Sequence, residues 1–263
     1  MRPELLFKFR QLEVTPTGKY EVTGYHDVDI AVGNYIAQLV DNACICEPNP
    51  INKAFAEYTD RPVSDKVIVG RFDDVPSLLR HIRTAQAGRI SQKGDKYRNP
   101  DYLPLVNISR NFLLSIGNVD RAIQTRNHDQ AVIYDGQGIK PRNVIAVCAS
   151  QPATLTYDVN IVGADKESTS LLCNALGTML VELLNTGFTA KTRLATADFE
   201  LDCALDGVKG FMLSDASAMG ETDRMYCATT QITVISEVII AYNVTAINAT
   251  VNVFEPQTLD EKR

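Results

Sequence analysis

The sequence predicts an α+β fold, a mixed, largely antiparallel β-sheet flanked by amphipathic helices. Three observations carry this. Residues 154–162 (Thr-Leu-Thr-Tyr-Asp-Val-Asn-Ile-Val) hold apolar side chains at odd positions and polar ones at even positions up to Asn160. That is the period-two pattern of a strand with one buried and one wet face. Directly after it, residues 167–186 repeat Leu172, Leu176 and Leu180 beside Leu171, Ala175 and Met179 in two adjacent rows, as a helix packed on the preceding sheet does. Residues 226–240 then form a long β-rich run around Ile232, Val234 and Ile235. A strand, a long helix and further strands make an α+β or mixed α/β domain.

The remaining elements follow in chain order. Residues 17–25 are mixed and fit at most a short edge strand. From Asp27, the residues Val28, Val32, Tyr35, Ile36, Leu39 and Val40 recur at helical spacing over about four turns, and the Pro/Asn-rich stretch 47–52 ends that segment. Residues 66–72 read as a strand. A second helix is expected from Asp74, with Pro76 in its first turn, to Gly88. Residues 89–101 are basic and loop-like. Residues 105–108, 112–116, 131–134 and 144–147 are compatible with strands. Asp165 or Ser168 caps the long helix and Gly187 ends it. Residues 199–205 alternate, 214–224 read as a polar loop, and 249–254 form a last strand before a charged tail.

The chain reads as a single domain over residues 1–263, with 1–102 a candidate N-terminal subdomain and 103–256 the core of sheet and long helix. At 263 residues, 45% hydrophobic and 22% charged, it has the chain to bury a sizeable core. Its net charge of −6 argues against a whole-molecule grip on nucleic acid or an anionic membrane. No run reaches the ~20 apolar residues of a membrane-spanning helix. The charged N-terminus does not fit a secretory signal, so a reducing, intracellular address is expected. The charge is segregated. Residues 61–142 hold 14 Lys and Arg against 8 Asp and Glu (+6), whereas residues 193–263 hold 5 against 11 (−6). Opposed faces of this kind suit self-association, although ordinary solvated surface has the same composition.

No motif announces chemistry. His26, His81 and His128 belong to no metal-binding or hydrolase signature. Gly136-Gln137-Gly138 lacks the third glycine of a phosphate loop and reads as a turn. The pairs Asp27/Asp29 and Asp73/Asp74 stand where helices begin and are expected to act as caps. Cys44-Ile45-Cys46 has no second pair to complete a zinc site. Cys148, Cys173, Cys203 and Cys227 lie in apolar surroundings, as buried structural thiols do. The N-x-S/T triplets at Asn107, Asn243 and Asn248 carry no weight without a signal peptide. No catalytic residue, cofactor or metal is expected.

Three stretches are similar to a known family. They are Leu103-Pro104-Leu105-Val106-Asn107-Ile108, followed by Asn118-Val119-Asp120-Arg121; Ala153–Ile161 leading through a polar turn into the long helix; and Gly220-Glu221-Thr222-Asp223-Arg224-Met225-Tyr226 before a β run. Together they resemble the tail terminator and tail-completion proteins of contractile-tailed bacteriophages, the tail sheath stabiliser group included. Where such proteins often carry an aromatic after the first strand, this chain has Val162-Gly163, and it has no Trp.

The resemblance implies a virion subunit that forms a ring, commonly a homohexamer, at the head-proximal end of the tail. There it would meet tube and sheath proteins on one side and neck or connector proteins on the other, with DNA passing through its lumen. The basic loop supplies the candidate contacts, Arg89, Lys93, Lys96 and Arg98, toward an acidic neighbour or that lumen. Competing classes are another connector or baseplate subunit, an enzyme whose site draws on His81, His128 or Asp73/Asp74, and a nucleic-acid-binding module within residues 61–142.

Overall fold

Two long antiparallel strands organise the chain. A computed structural model describes residues 9–70, 72, 77–78, 103–117, 132–134, 144–182, 187–206, 214–215, 217–219 and 224–252. Within them, β5 (Val144–Gly163) and β10 (Arg224–Asn252) pair without a break from Gly163↔Tyr226 to Ala146↔Asn243. At about 3.3 Å per residue this spine runs for about 60 Å. The other strands are β1 (Phe9–Val22), β2 (Val67–Val69), β3 (Leu105–Ile116), β4 (Val132–Tyr134), β6 (Gly187–Leu194), β7 (Ala197–Leu205), β8 (Ser214–Asp215) and β9 (Ala218–Met219). The sheet order is β2-β3-β5-β10-β7-β6, with β4 on β5 and β1, β8 and β9 on β10. The β2–β3 pair is parallel and the other pairs are antiparallel. The fold class is the predicted one.

Helices α1 (His26–Asp41) and α4 (Lys166–Glu182) pack side by side on one face of this sheet, with the short α2 (Lys53–Thr59) and α3 (Val63–Lys66) beside them. The predicted apolar row of α1 is buried as Val28, Val32, Tyr35, Ile36, Leu39 and Val40. Leu172, Leu176 and Leu180 are the buried ridge of α4. They meet Leu155, Tyr157, Val159 and Ile161, the odd positions of β5, in one hydrophobic cluster. Residues from both sides of position 102 share it. Asp165 starts α4, since its carboxylate accepts the Ser168 N–H at 2.7 Å and its carbonyl the Thr169 hydroxyl at 2.5 Å. Gly33 lets α1 approach β2, because a Cβ there would lie 2.3 Å from Val69 Cγ2.

Several expected breaks are absent. Residues 144–147 and 154–162 belong to one strand that passes through Pro152. Proline is tolerated because it falls between the stretches of β5 that pair with β4, up to Val147, and with β3, from Ala153, and its carbonyl there accepts the Gly117 N–H at 2.8 Å. Residues 226–240 and 249–252 likewise form one strand. Segments 105–108 and 112–116 are halves of β3, separated by a register shift between Arg110 and Leu114. The edge strand anticipated near residues 17–25 is β1, which begins at Phe9. Strand β6 has no counterpart in the sequence reading, and Gly187 opens it. Of the expected helix 74–88, the described part is helical at Ser77 and Leu78, and the rest lies outside the described residues.

Hairpin β6–β7 also explains its own invisibility. Its two-residue turn holds Ala195 at φ +46° and Thr196 at φ +74°. Tight hairpins need left-handed backbone at both central positions and usually signal this with Asn-Gly or Asp-Gly. Here a β-branched residue occupies such a position, at a cost of order 1 kcal/mol or more. Thr196→Gly is therefore expected to raise the unfolding free energy by about 1 kcal/mol in urea denaturation; an unchanged or lowered midpoint would contradict this reading of the turn.

Candidate assembly surface

The helices cover part of the sheet face they pack on. Along β5, burial falls on Ala153, Leu155, Tyr157, Val159 and Ile161 in the half under the helices, but on Ala146 and Cys148 in the other half. Even and odd positions of a strand face opposite sides. The buried side of the spine therefore switches, and on β10 residues 234–239 are buried on both faces at the crossing. Ile239 and Ala241 are buried with Ala146 and Cys148 on the far side.

Several exposed apolar residues stand on the helix side of the sheet away from the helices. Leu114 and Ile116 of β3 stand opposite Leu155 and Ala153, on the helix side, yet are 41% and 52% exposed. Phe112, within the register shift, is 81% exposed. Farther along the same face, Tyr20 pairs with Tyr242 and Val22 with Ile240, with the two tyrosine rings 6.2 Å apart. Tyr20 is 62% exposed, and Val22 and Tyr242 are about half-exposed. Between these two groups the same side of the sheet holds Ala153 opposite Ser236, both fully buried, and the exposed Gln151 opposite the buried Val238. The exposed apolar residues thus form two groups on one side of the sheet, the kind of surface that is a candidate for an interaction.

Buried polar groups lock the body that presents this face. The Asp29 carboxylate accepts hydrogen bonds from Arg110 Nε at 2.9 Å and from the Tyr157 hydroxyl at 2.8 Å. Asp29 thus joins α1 to β3 and β5, which corrects its expected role as a cap, and α1 has no side-chain cap. Burial and the neighbouring Asp29 carboxylate push the Tyr157 hydroxyl far above the usual tyrosine range. Burial also raises Tyr25, partly opposed by the Arg110 guanidinium 5.1 Å from its ring centre. Lys66, 1% exposed, reaches Asp41 at 2.6 Å. Arg61 donates to the carbonyls of Leu103 and Pro104 and lies over the Tyr58 ring. On the opposite sheet face, Asn107 donates to the Ile68 and Gly70 carbonyls and accepts from Asn160, fixing β2 at the edge.

Three cations of the basic segment, Arg61, Lys66 and Arg110, are therefore structural. In the acidic segment, Asp198 and Glu200 pair across the hairpin with Arg193 and Lys191 at 3.9 and 4.0 Å. An open groove of about 580 Å³ runs between α1 and β6, lined by Asp27, Asn34, Tyr35, Gln38, Phe188 and Lys191. Its mixture of amides, one acid and one amine offers hydrogen bonding without convergence on a single point.

Arg89, Lys93, Lys96 and Arg98 lie outside the described residues, as do His81, His128 and Asp73/Asp74. His26 is exposed at the start of α1. Cys44 and Cys46 are exposed, and the other four thiols are buried and free, their ionisation pushed up to about 11 by burial. Among the described residues no group of three or more His, Cys, Asp or Glu could hold a metal ion, and no helix is long and apolar enough to cross a membrane. No protein-family model matches the chain, and no curated protein matches it.

The exposed apolar groups escaped the sequence reading because their members come from β1, β3 and β10. The one available signal was alternation along each strand, which does not tell whether a face is covered. The Asp29 lock makes a sharp prediction. Asp29→Ala leaves the buried Tyr157 hydroxyl and the Arg110 guanidinium without their acceptor and should cost about 3 kcal/mol. Tyr157→Phe removes a single hydrogen bond and should cost about 1 kcal/mol. Urea denaturation of both variants checks the ranking; equal losses would refute the shared-acceptor account.

Proposed function

We propose that this chain is a structural virion subunit. It assembles as a ring, a homohexamer by analogy with the resembled family, that caps the head-proximal end of a phage tail tube or sheath and joins it to the neck. The observation that carries the reading is the set of exposed apolar side chains on one side of the sheet, Tyr20, Val22 and Tyr242 in one group and Leu114 and Ile116 in another, since a subunit buries such groups against neighbours. The resemblance of residues 103–108, 153–161 and 220–226 to the tail-completion group gives the assembly its setting. The opposed +6 and −6 segments supply complementary contacts between copies.

Heterologous contacts of this kind close into rings when the rotation between subunits permits. In that arrangement the basic segment with Arg89, Lys93, Lys96 and Arg98 meets an acidic neighbour or lines the lumen through which DNA passes. Its role is electrostatic and requires no cofactor.

The test is to add the purified protein to tube protein from the same phage as it polymerises, and to examine the products by negative-stain electron microscopy. Tubes should stop at shorter lengths and carry a ring at one end. The variant combining Arg89→Glu, Lys93→Glu, Lys96→Glu and Arg98→Glu should yield few rings. Tubes of unaltered length without end rings would sink the tail reading, and intact rings from the charge-reversed variant would sink that segment's contact.

A further inference from the structure

Strand β6 ends the sheet on one side, and among the described residues no strand pairs with its outer edge. The turn that joins it to β7 tells which backbone groups that edge presents. Leu194 and Ala197 close a two-residue turn whose central residues, Ala195 and Thr196, both have positive φ. In such a turn the closing pair is hydrogen-bonded, and hydrogen-bonded pairs alternate along the ladder from there. The N–H and C=O groups of Leu194, Thr192, Ala190 and Phe188 therefore face β7. Those of Arg193, Lys191, Thr189 and Gly187 point to the open edge.

The groove between α1 and β6 follows this edge. On β6 it is lined by Gly187, Phe188, Thr189 and Lys191, and on α1 by a stripe that includes Ile30, Asn34 and Gln38. Consecutive residues of a strand point to opposite faces. A groove that touches both Phe188 and Thr189 therefore lies at the strand's edge and not on one of its faces. A second open groove, of about 850 Å³, shares Asp27 and Lys191 with the first and reaches Arg193. Both walls are held in place. The Phe188 ring stacks on Tyr35 of α1 with centroids 4.7 Å apart, and Glu21 of β1 accepts the Ala195 N–H at 3.1 Å. The edge offers eight residues, or about 26 Å, and a row of unpaired N–H and C=O groups is a template for a further strand.

We propose that the open edge of β6 is a strand-addition site for an extended peptide of a partner protein, with acidic side chains opposite Lys191 and Arg193 and short apolar ones toward α1. Main-chain hydrogen bonds to Gly187, Thr189, Lys191 and Arg193 supply the attraction, and the alternating side chains supply the selectivity. Charge sets the acidic row. Lys191 and Arg193 share the outer face of β6, and their side chains are 81% and 72% exposed. Their carboxylate partners, Glu200 and Asp198, stand on β7 at 4.0 and 3.9 Å. An added strand lies about 4.8 Å from β6 and about twice that from β7, so its side chains meet the cations before the acids. On the inner face Ala190 and Thr192 are buried, and the exposed Ile30 of α1 stands beside the groove, which suits short apolar side chains there. A small ligand needs polar groups converging on one point, and the groove spreads its own along the strand. The inference requires neither a ring nor a tail and stands apart from the reading above.

The test uses the full-length protein and two fluorescein-labelled octapeptides, one alternating valine with glutamate and the other valine with lysine, followed by fluorescence anisotropy. The glutamate peptide should bind saturably and the lysine peptide about tenfold more weakly. Lys191→Glu combined with Arg193→Glu should reverse that order. Thr189→Pro removes one outward N–H, which an edge strand tolerates. It should abolish binding while the circular dichroism melt stays near that of the unaltered chain. Hydrogen exchange reads the edge without any variant. The amides of Thr189, Lys191 and Arg193 should exchange fast in the free protein and become protected with the glutamate peptide, whereas those of Ala190 and Thr192 are protected throughout. No saturable binding of the glutamate peptide, equal binding of both peptides, or no new protection at those three amides would overturn the proposal. So would a changed oligomeric state in Thr189→Pro without peptide binding to the unaltered chain, which would give the edge to a second copy. The tube-capping assay decides the ring reading separately.

Discussion

The unbroken pairing of β5 with β10 is the constraint on which the other features depend. It fixes one register along about 60 Å, and a slip of a single residue would turn every side chain of either strand to the opposite face. Under the helices that register puts Leu155 with Val234 and Tyr157 with Ile232 toward α1 and α4. Beyond the helices it aims Ile240 and Tyr242 along the same side, where nothing in the described chain covers them to the same degree. The strands that flank the spine, β3 and β7 at one end and β4 and β1 at the other, take their positions from it.

The polar core groups serve this arrangement. Asp29 ties the first turn of α1 to β3 and β5 through Arg110 and Tyr157. Asn107 ties β2 to the edge on the other face. Each bond spans a long stretch of sequence, so each closes the chain on itself. The same bonds consume cations that would otherwise contribute to a basic surface. The segregation of +6 and −6 is real along the chain, but Arg61, Lys66 and Arg110 are spent inside the molecule. The charge available to a neighbour from residues 61–142 is concentrated elsewhere in that segment.

Much of the fold was legible because local pattern and tertiary burial agree. The alternation of residues 154–162 and the leucine rows of α4 are periodicities imposed by one buried face each. Three kinds of feature were not legible. Hairpin β6–β7 turns on Ala195 and Thr196, residue types that carry no turn signal. Strands β5 and β10 run through Pro152 and through the polar stretch near Asn243, which local propensity treats as breaks, because long-range ladders override weak local preferences. Asp29 looked like a cap because its partners lie 81 and 128 residues away. The exposed apolar groups have the same difficulty: alternation says that a strand has an apolar side, and only the placement of α1 and α4 says where cover ends.

The sheet keeps exposed apolar side chains, Tyr20, Val22 and Tyr242 with Leu114 and Ile116, on the side its helices pack against, and the proposed assembly would bury them. The mass of the purified protein in solution tests this claim most directly, by sedimentation or light scattering across a wide concentration range. The account predicts one assembled species at a fixed multiple of the 29.0 kDa chain, persisting at low concentration as a closed ring does. A single species of monomer mass at every concentration would contradict it.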